Sequence, residues 1–150
     1  MVTDESKGIT NFCILLIIIY ICTLLVELWH IPLAIFSSAY KEYFIKVFGE
    51  GTYAMNRLFE PLGTIIIFAI ILGATQSLKL KPKGRKLLIL SSATYVVYHF
   101  VANISFFFVA TDYWKFITSV SANGLPQPTF VLSLFTIYYF TRPKVKEQFK

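Results

Sequence analysis

The sequence predicts an all-α integral membrane protein: a single domain, residues 1–150, of four antiparallel transmembrane helices. Three observations carry this. The 150 residues are 56% hydrophobic and only 15% charged, where soluble domains carry roughly 25% charged residues. Mean hydropathy is +0.65. The apolar residues also gather into four runs, at about 12–35, 61–78, 87–110 and 125–141. One water-facing core of this size cannot hide that much apolar surface, which excludes a soluble enzyme. The same composition excludes a disordered chain.

The first run holds Cys13-Ile14-Leu15-Leu16-Ile17-Ile18-Ile19. Asp4 and Glu5 precede it against Lys7, and no small-x-small site follows, so it reads as a retained helix rather than a signal peptide. Loop one, about 36–60, sets Tyr40, Phe44, Val47 and Phe48 among Lys41, Glu42 and Lys46. That spacing predicts an amphipathic helix, either lying on the membrane surface or packed as an ordinary loop helix. Gly49-Glu50-Gly51 ends it, and Pro61 suits the first turn of helix two. Loop two, 79–86, carries Lys79, Lys81, Lys83, Arg85 and Lys86. The third run is long enough to span with tilt. Loop three opens with the interfacial pair Tyr113-Trp114. The fourth run is short for a span of about 20 residues, and Pro126-Gln127-Pro128 is not expected to complete a regular helix.

The net charge of +6 writes topology rather than nucleic-acid binding. The N-terminal tail, loop two and the C-terminal tail hold ten of the fourteen basic residues, and loops one and three hold four. By the positive-inside rule both termini face the cytoplasm or its equivalent. Cys13 and Cys22 lie about 13 Å apart along a helix, too far for a mutual disulfide.

Polar residues at membrane depth are the candidate site. Counting about 1.5 Å per residue from the cytoplasmic ends puts Glu27 about 22 Å up, His30 about 27 Å, His99 about 18 Å, Asn103 about 24 Å and Gln127 about 22 Å. All fall in the outer half of a core about 30 Å thick, and Glu60 caps helix two at the outer surface. Cys13, Leu16, Tyr20, Thr23, Glu27 and His30 form one stripe of helix one, and Tyr95, His99 and Asn103 recur every four residues on helix three. Intramembrane ionisable groups usually face the bundle interior, so both stripes are expected to converge on an outer-half polar pocket.

Proton exchange is the chemistry best matched to a buried carboxyl and imidazole. Glu27 and His99 are the candidate acid–base pair. His30, Glu60, Tyr95, Asn103 and Gln127 are the candidate ligand-binding residues, on a small lipophilic ligand entering from the bilayer. Plainer roles compete: Glu27 as structural glue to Asn103 or His99, His30 beside Trp29 as an interfacial residue, Tyr95 as packing bulk, Gly63 and Gly73 as close-contact residues. No metal or cofactor is expected. Glu27-Leu28-Trp29-His30 has the E-x-x-H spacing of di-iron bundles, but His99 has Val96 three residues before it, so the second half is missing. Haem between His30 and His99 is opposed by a depth mismatch of about 9 Å. Other membrane subunits are the alternative partners, with the chain as a non-catalytic accessory subunit.

Two family resemblances follow. Ala54-Met55-Asn56-Arg57-Leu58-Phe59-Glu60-Pro61, the run to Leu72-Gly73-Ala74, and Asn103 after Tyr95-Val96-Val97 resemble the anthrone-oxygenase-like four-helix membrane family. Ile104-Ser105-Phe106 stands where that family has Pro and a second Asn. The resemblance implies a small membrane protein, sometimes acting on polycyclic aromatics. Trp29-His30-Ile31-Pro32-Leu33 is similar to the His-Ile-Pro-Ile stretch of the emopamil-binding-protein-related (EXPERA) family, with Glu60 at an acidic pocket position. Phe36-Ser37-Ser38 replaces that family's next acidic residue. This second resemblance implies sterol binding or isomerisation. Both imply four helices with cytoplasmic termini.

Overall fold

The computed structural model describes residues 4–109 and 126–149. They form six helices: α1 (Asp4–Phe36), α2 (Ser38–Phe48), α3 (Glu50–Ser77), α4 (Pro82–Val109), α5 (Pro126–Thr141) and α6 (Pro143–Glu147). No strand occurs among the described residues. Three segments are long and apolar enough to cross a membrane: Ser6–Trp29, Glu50–Ser77 and Pro82–Val109. The apolar part of α5, Pro128–Thr141, is shorter. Loop three, with Tyr113 and Trp114, lies outside the described residues.

Several boundaries differ from the sequence reading, for local reasons. Helix one starts at Asp4. Ile9, ahead of the apolar run, is fully buried, so packing extends the helix toward the N-terminus. Helix two starts at Glu50, so Pro61 stands inside it. Residues 50–60 are rich in good helix formers, and their packing outweighs the single backbone bond that Pro61 removes. Pro82 opens α4, which shortens loop two to a turn at 78–81 and places Lys83, Arg85 and Lys86 on helix. Pro126 and Pro128 both fall in the first turn of α5. The amide groups they lack would have had no intrahelical partner there, so the Pro-Gln-Pro stretch begins a helix instead of breaking one.

The loop-one helix is the packed one. Ser37 caps it by accepting from the Tyr40 amide at 3.2 Å, and Gly49 (φ 88°) ends it. Phe44 and Phe48 are buried with Tyr53 of α3 and with Ala102 and Phe106 of α4, so the apolar face of α2 covers one end of the α3–α4 pair.

Without a hydrophobic drive between helices in lipid, association relies on close packing and on hydrogen bonds between helices. Gly73 sits directly on the α4 backbone at Leu88, and Gly84 sits on the α3 backbone at Gln76 and Ser77. The connecting turn takes Leu80 into the left-handed region (φ 52°). On the other side of α3 lies α1, whose Ile9, Cys13, Leu16 and Tyr20 are fully buried with Ile67, Ile70 and Ala74. Phe140 of α5, with Val145 and Phe149 after it, closes the same cluster. The outward faces carry bare apolar side chains such as Leu25, Ile65, Leu90 and Phe108, as a lipid-facing surface requires.

The α3–α4 contact is testable. A Cβ at Gly73 would lie 2.7 Å from the Leu88 amide nitrogen and 2.8 Å from its Cα. Gly73→Ala must therefore separate two backbones, and should destabilise the fold by about 1–3 kcal/mol in detergent melting. Gly8→Ala, whose Cβ meets only the Tyr139 hydroxyl at 3.2 Å, should melt close to wild type. Equal melting of both variants would show that the two helices are not held at Gly73.

Candidate functional site

The α1 stripe faces inward as its spacing requires. Alternating steps of three and four residues keep one face nearly constant, drifting only about 20° per seven residues. Cys13, Leu16, Tyr20 and Thr23 are buried, and Glu27, farther along the stripe, is half-buried. The α4 stripe drifts faster, because each four-residue step advances about 40° beyond a full turn. Tyr95 is 3% exposed, His99 is half-buried and Asn103 is exposed. Asn103 donates from Nδ2 to the His99 carbonyl at 2.7 Å and lines an open surface groove with Ile104, Phe107 and Phe108. It therefore does not join the interior cluster.

Glu27 meets α3. The Thr64 hydroxyl donates to Glu27 Oε2 at 2.8 Å, and Thr64 Oγ1 also lies 3.0 Å from the Glu60 carbonyl oxygen. One hydroxyl proton faces two acceptors. Thr64 must share it, or give it to the carbonyl while accepting from a protonated Glu27. Asn56 donates from Nδ2 to Glu60 Oε2 at 3.3 Å. Asn56, Glu60 and Thr64 are thus linked in sequence at four-residue intervals along α3. The sequence reading named Glu60 but missed Asn56 and Thr64, although the spacing is the one that singled out Tyr95, His99 and Asn103. Tyr40 of α2 lies close by: burial first, then the Glu60 charge, raises its hydroxyl above the ordinary tyrosine value.

His99 is enclosed by rings. Tyr95, Tyr98 and Phe130 stand edge-on to it at centroid distances of 4.6, 5.5 and 5.9 Å. Its Nε2 is buried and has no hydrogen-bond partner among the described residues. Tyr98 connects the two halves of the cluster. Its hydroxyl donates to the Phe59 carbonyl at 3.0 Å, through space that Gly63 leaves open, and its ring stands against His99. No hydrogen bond joins Glu27 to His99 among the described residues.

Below this cluster three helices are tied by hydroxyls. Tyr20 donates to the Thr129 carbonyl at 3.1 Å and pairs with the Ser133 hydroxyl at 2.6 Å. Tyr95 pairs with the Thr129 hydroxyl at 3.0 Å. The Tyr95 hydroxyl is therefore committed to α5. His30 lies on α1 and Gln127 on α5, but their side chains fall outside the described residues. Among the described residues no group of three His, Cys, Asp or Glu side chains is placed to hold a metal ion. Cys13 is buried and Cys22 exposed, both as free thiols.

Tyr20→Phe removes both α1–α5 bonds and Tyr95→Phe removes one. Interhelical polar contacts average about 0.6 kcal/mol with a maximum near 1.7. Tyr20→Phe should therefore cost about 1 kcal/mol in detergent melting, and Tyr95→Phe less. A Tyr20→Phe protein that melts like wild type would mean that these bonds do not hold α5.

Comparison with protein-family models, with curated proteins and with solved structures finds no match to this chain.

Proposed function

We propose that the chain is a four-helix membrane protein that binds a small lipophilic ligand in its outer half, with α5 as the fourth crossing and both termini in the cytoplasm. The observation that carries the ligand reading is the His99 Nε2, buried among three rings without a partner among the described residues. A buried imidazole nitrogen left unpaired in a low-dielectric site is costly. A ligand hydroxyl or carbonyl there would remove that cost, and Tyr95, Tyr98 and Phe130 would hold an apolar or ring-bearing body. Glu27, with Thr64 and Glu60 across the α1–α3 contact, adds an acid–base group within the same cluster. The reading thus extends to proton transfer on the ligand.

Packing supports the topology. Ile9 near the N-terminus, Leu78 and Leu80 of the turn, and Val145 and Phe149 near the C-terminus belong to one cluster. The segments that carry ten of the fourteen basic residues therefore share one end. Counting positive charge assigns that end to the cytoplasm. A second reading, a non-catalytic subunit, is favoured by the exposed aromatic face of α4, where Phe100, Phe107 and Phe108 would suit a neighbouring helix as well as acyl chains.

Two measurements test this. In native mass spectrometry paired with melting, His99→Phe and Glu27→Gln should keep the fold, within about 1 kcal/mol of wild type by the modest worth of such contacts, and should lose the co-purifying ligand. If the ligand is also processed, Glu27→Gln should slow turnover by about 10²–10⁴-fold. A wild-type ligand complement in both folded variants would replace the ligand reading with the subunit reading. For topology, a cysteine replacing the exposed Lys83 should react with an impermeant thiol reagent from the cytoplasmic side only. Labelling from the opposite side would invert the arrangement.

A further inference from the structure

The end of the molecule opposite the polar cluster gathers cations from separate parts of the chain and holds them in place. Lys79, Lys81, Lys83 and Lys86 are exposed on the turn and the first turns of α4. The helices beside the turn are closely packed: a Cβ on Gly84 would lie 2.7 Å from the Gln76 carbonyl carbon and the Ser77 amide nitrogen. Arg85 reaches across to α5 and donates from Nη1 to the Phe140 carbonyl at 2.9 Å. This joins the turn to the C-terminal segment.

That segment is anchored as well. Arg142 is extended (ψ 136°), and Pro143 opens α6. Val145 and Phe149 are only 5% and 6% exposed, and the Phe149 ring lies 5.9 Å from Phe140. Val145 on α6 and Phe149 just beyond its end are buried, while Lys144 and Lys146, on either side of Val145, are exposed. Among the described residues, none of Lys79, Lys81, Lys83, Lys86, Lys144 and Lys146 is in an ion pair. Charge counting explains why a cytoplasmic end is basic. It does not explain why two apolar residues beside Lys144 and Lys146 are buried in the core.

The apolar surface beside these cations indicates the partner. On α5, Val131, Leu134, Phe135 and Tyr138 are exposed, and the Arg142 guanidinium lies over the Tyr138 ring at 5.9 Å. The outward face of α5 thus passes from acyl-facing side chains, through an interfacial tyrosine, to fixed positive charge. Basic clusters bordering a membrane helix attract anionic headgroups.

We propose that this end is a binding site for an anionic phospholipid, with its headgroup among the lysines of the turn and α6 and its acyl chains along the exposed face of α5. The site is separate from the His99 cluster and does not rest on the function proposed there.

The test uses the full chain in neutral detergent, titrated with phosphatidylserine or with phosphatidylcholine of the same acyl chains and read by native mass spectrometry. Wild type should bind phosphatidylserine at least tenfold more tightly than phosphatidylcholine. Each surface cation contributes about fivefold near an anionic headgroup. Lys83→Gln, Lys86→Gln, Lys144→Gln and Lys146→Gln combined should therefore abolish the preference while melting remains unchanged. A second variant, Val145→Ser with Phe149→Ser, keeps every charge but frees α6, and should weaken the preference severalfold. Equal binding of the two lipids by wild type, or an undiminished preference in the four-lysine variant, would overturn the proposal. Competition by soluble glycerophosphoserine at the same concentration as the lipid would also overturn it, since the site would then recognise a free anion and not a lipid.

Discussion

The close approach of α3 and α4 at Gly73 and Leu88 sets the register of the two helices that carry Glu60, Thr64, Tyr98 and His99. With Gly73 against the Leu88 backbone, the two helices cannot slide without collision, so their register is fixed. Ten residues back along α3 and ten forward along α4, Gly63 meets the Tyr98 hydroxyl. That register lets Tyr98 reach the Phe59 carbonyl, and Tyr98 in turn helps wall in His99. Further on, the same pair of helices receives α2 through Tyr53, Ala102 and Phe106. In lipid, where burying an apolar side chain against another helix gains little over burying it in acyl chains, this steric lock does work that a hydrophobic core does in water.

Four buried polar atoms lack partners among the described residues: Thr52 Oγ1, Ser77 Oγ, Ser92 Oγ and His99 Nε2. They are not equivalent. A serine or threonine hydroxyl on a helix can turn about one bond and donate to the carbonyl one turn earlier, as Ser91, Thr94 and Thr136 do here. An imidazole ring fixed edge-on by three aromatic rings has no such local remedy. Ser77 and Ser92 can satisfy themselves within their own helices, whereas Thr52, in the first turn of α3, and the larger, fixed ring of His99 need something from outside their own turns. This distinction gives the His99 cluster more weight as a binding site than the bare number of orphaned atoms would.

The sequence was legible where its periodicity matched the helix and misleading where it did not. The 3-4 alternation from Cys13 to Glu27 tracks one face, and that face is buried. The strict four-residue repeat of Tyr95, His99 and Asn103 looks like a face but winds around the helix, so it carries Asn103 out of the interior. The partner of Glu27 was sought on helix three because that stripe held the other conspicuous polar residues. The actual partner, Thr64, sits in an apolar run where a lone threonine attracts no notice. Prolines misled twice in opposite directions. Pro61 suggested a helix start and lies in a helix interior; Pro126 and Pro128 suggested a break and stand in a first turn. The residue type limits what is possible, and the packing of residues 50–60 on α2 and α4 decides between the options.

The molecule is therefore divided along its long axis by the means used to hold helices together. Toward the basic end, close packing dominates: Gly73 on Leu88, Gly84 on Ser77, and Ile9, Cys13 and Leu16 against Ile67, Ile70 and Phe140, with the Arg85 bond to the Phe140 carbonyl beside them. The hydroxyl ties of Tyr20, Tyr95, Thr129 and Ser133 mark the transition. Beyond them, Glu27, Thr64, Glu60, Asn56 and His99 replace close packing with directed polar contacts, under the cover of α2. A closely packed, interlocked half resists opening, because any separation loses many contacts at once. A half held by a few hydrogen bonds can exchange them one for one with a ligand's polar groups at little net cost. The proposed ligand site therefore lies in the half held by exchangeable contacts, and the interlocked half is what keeps the helices together.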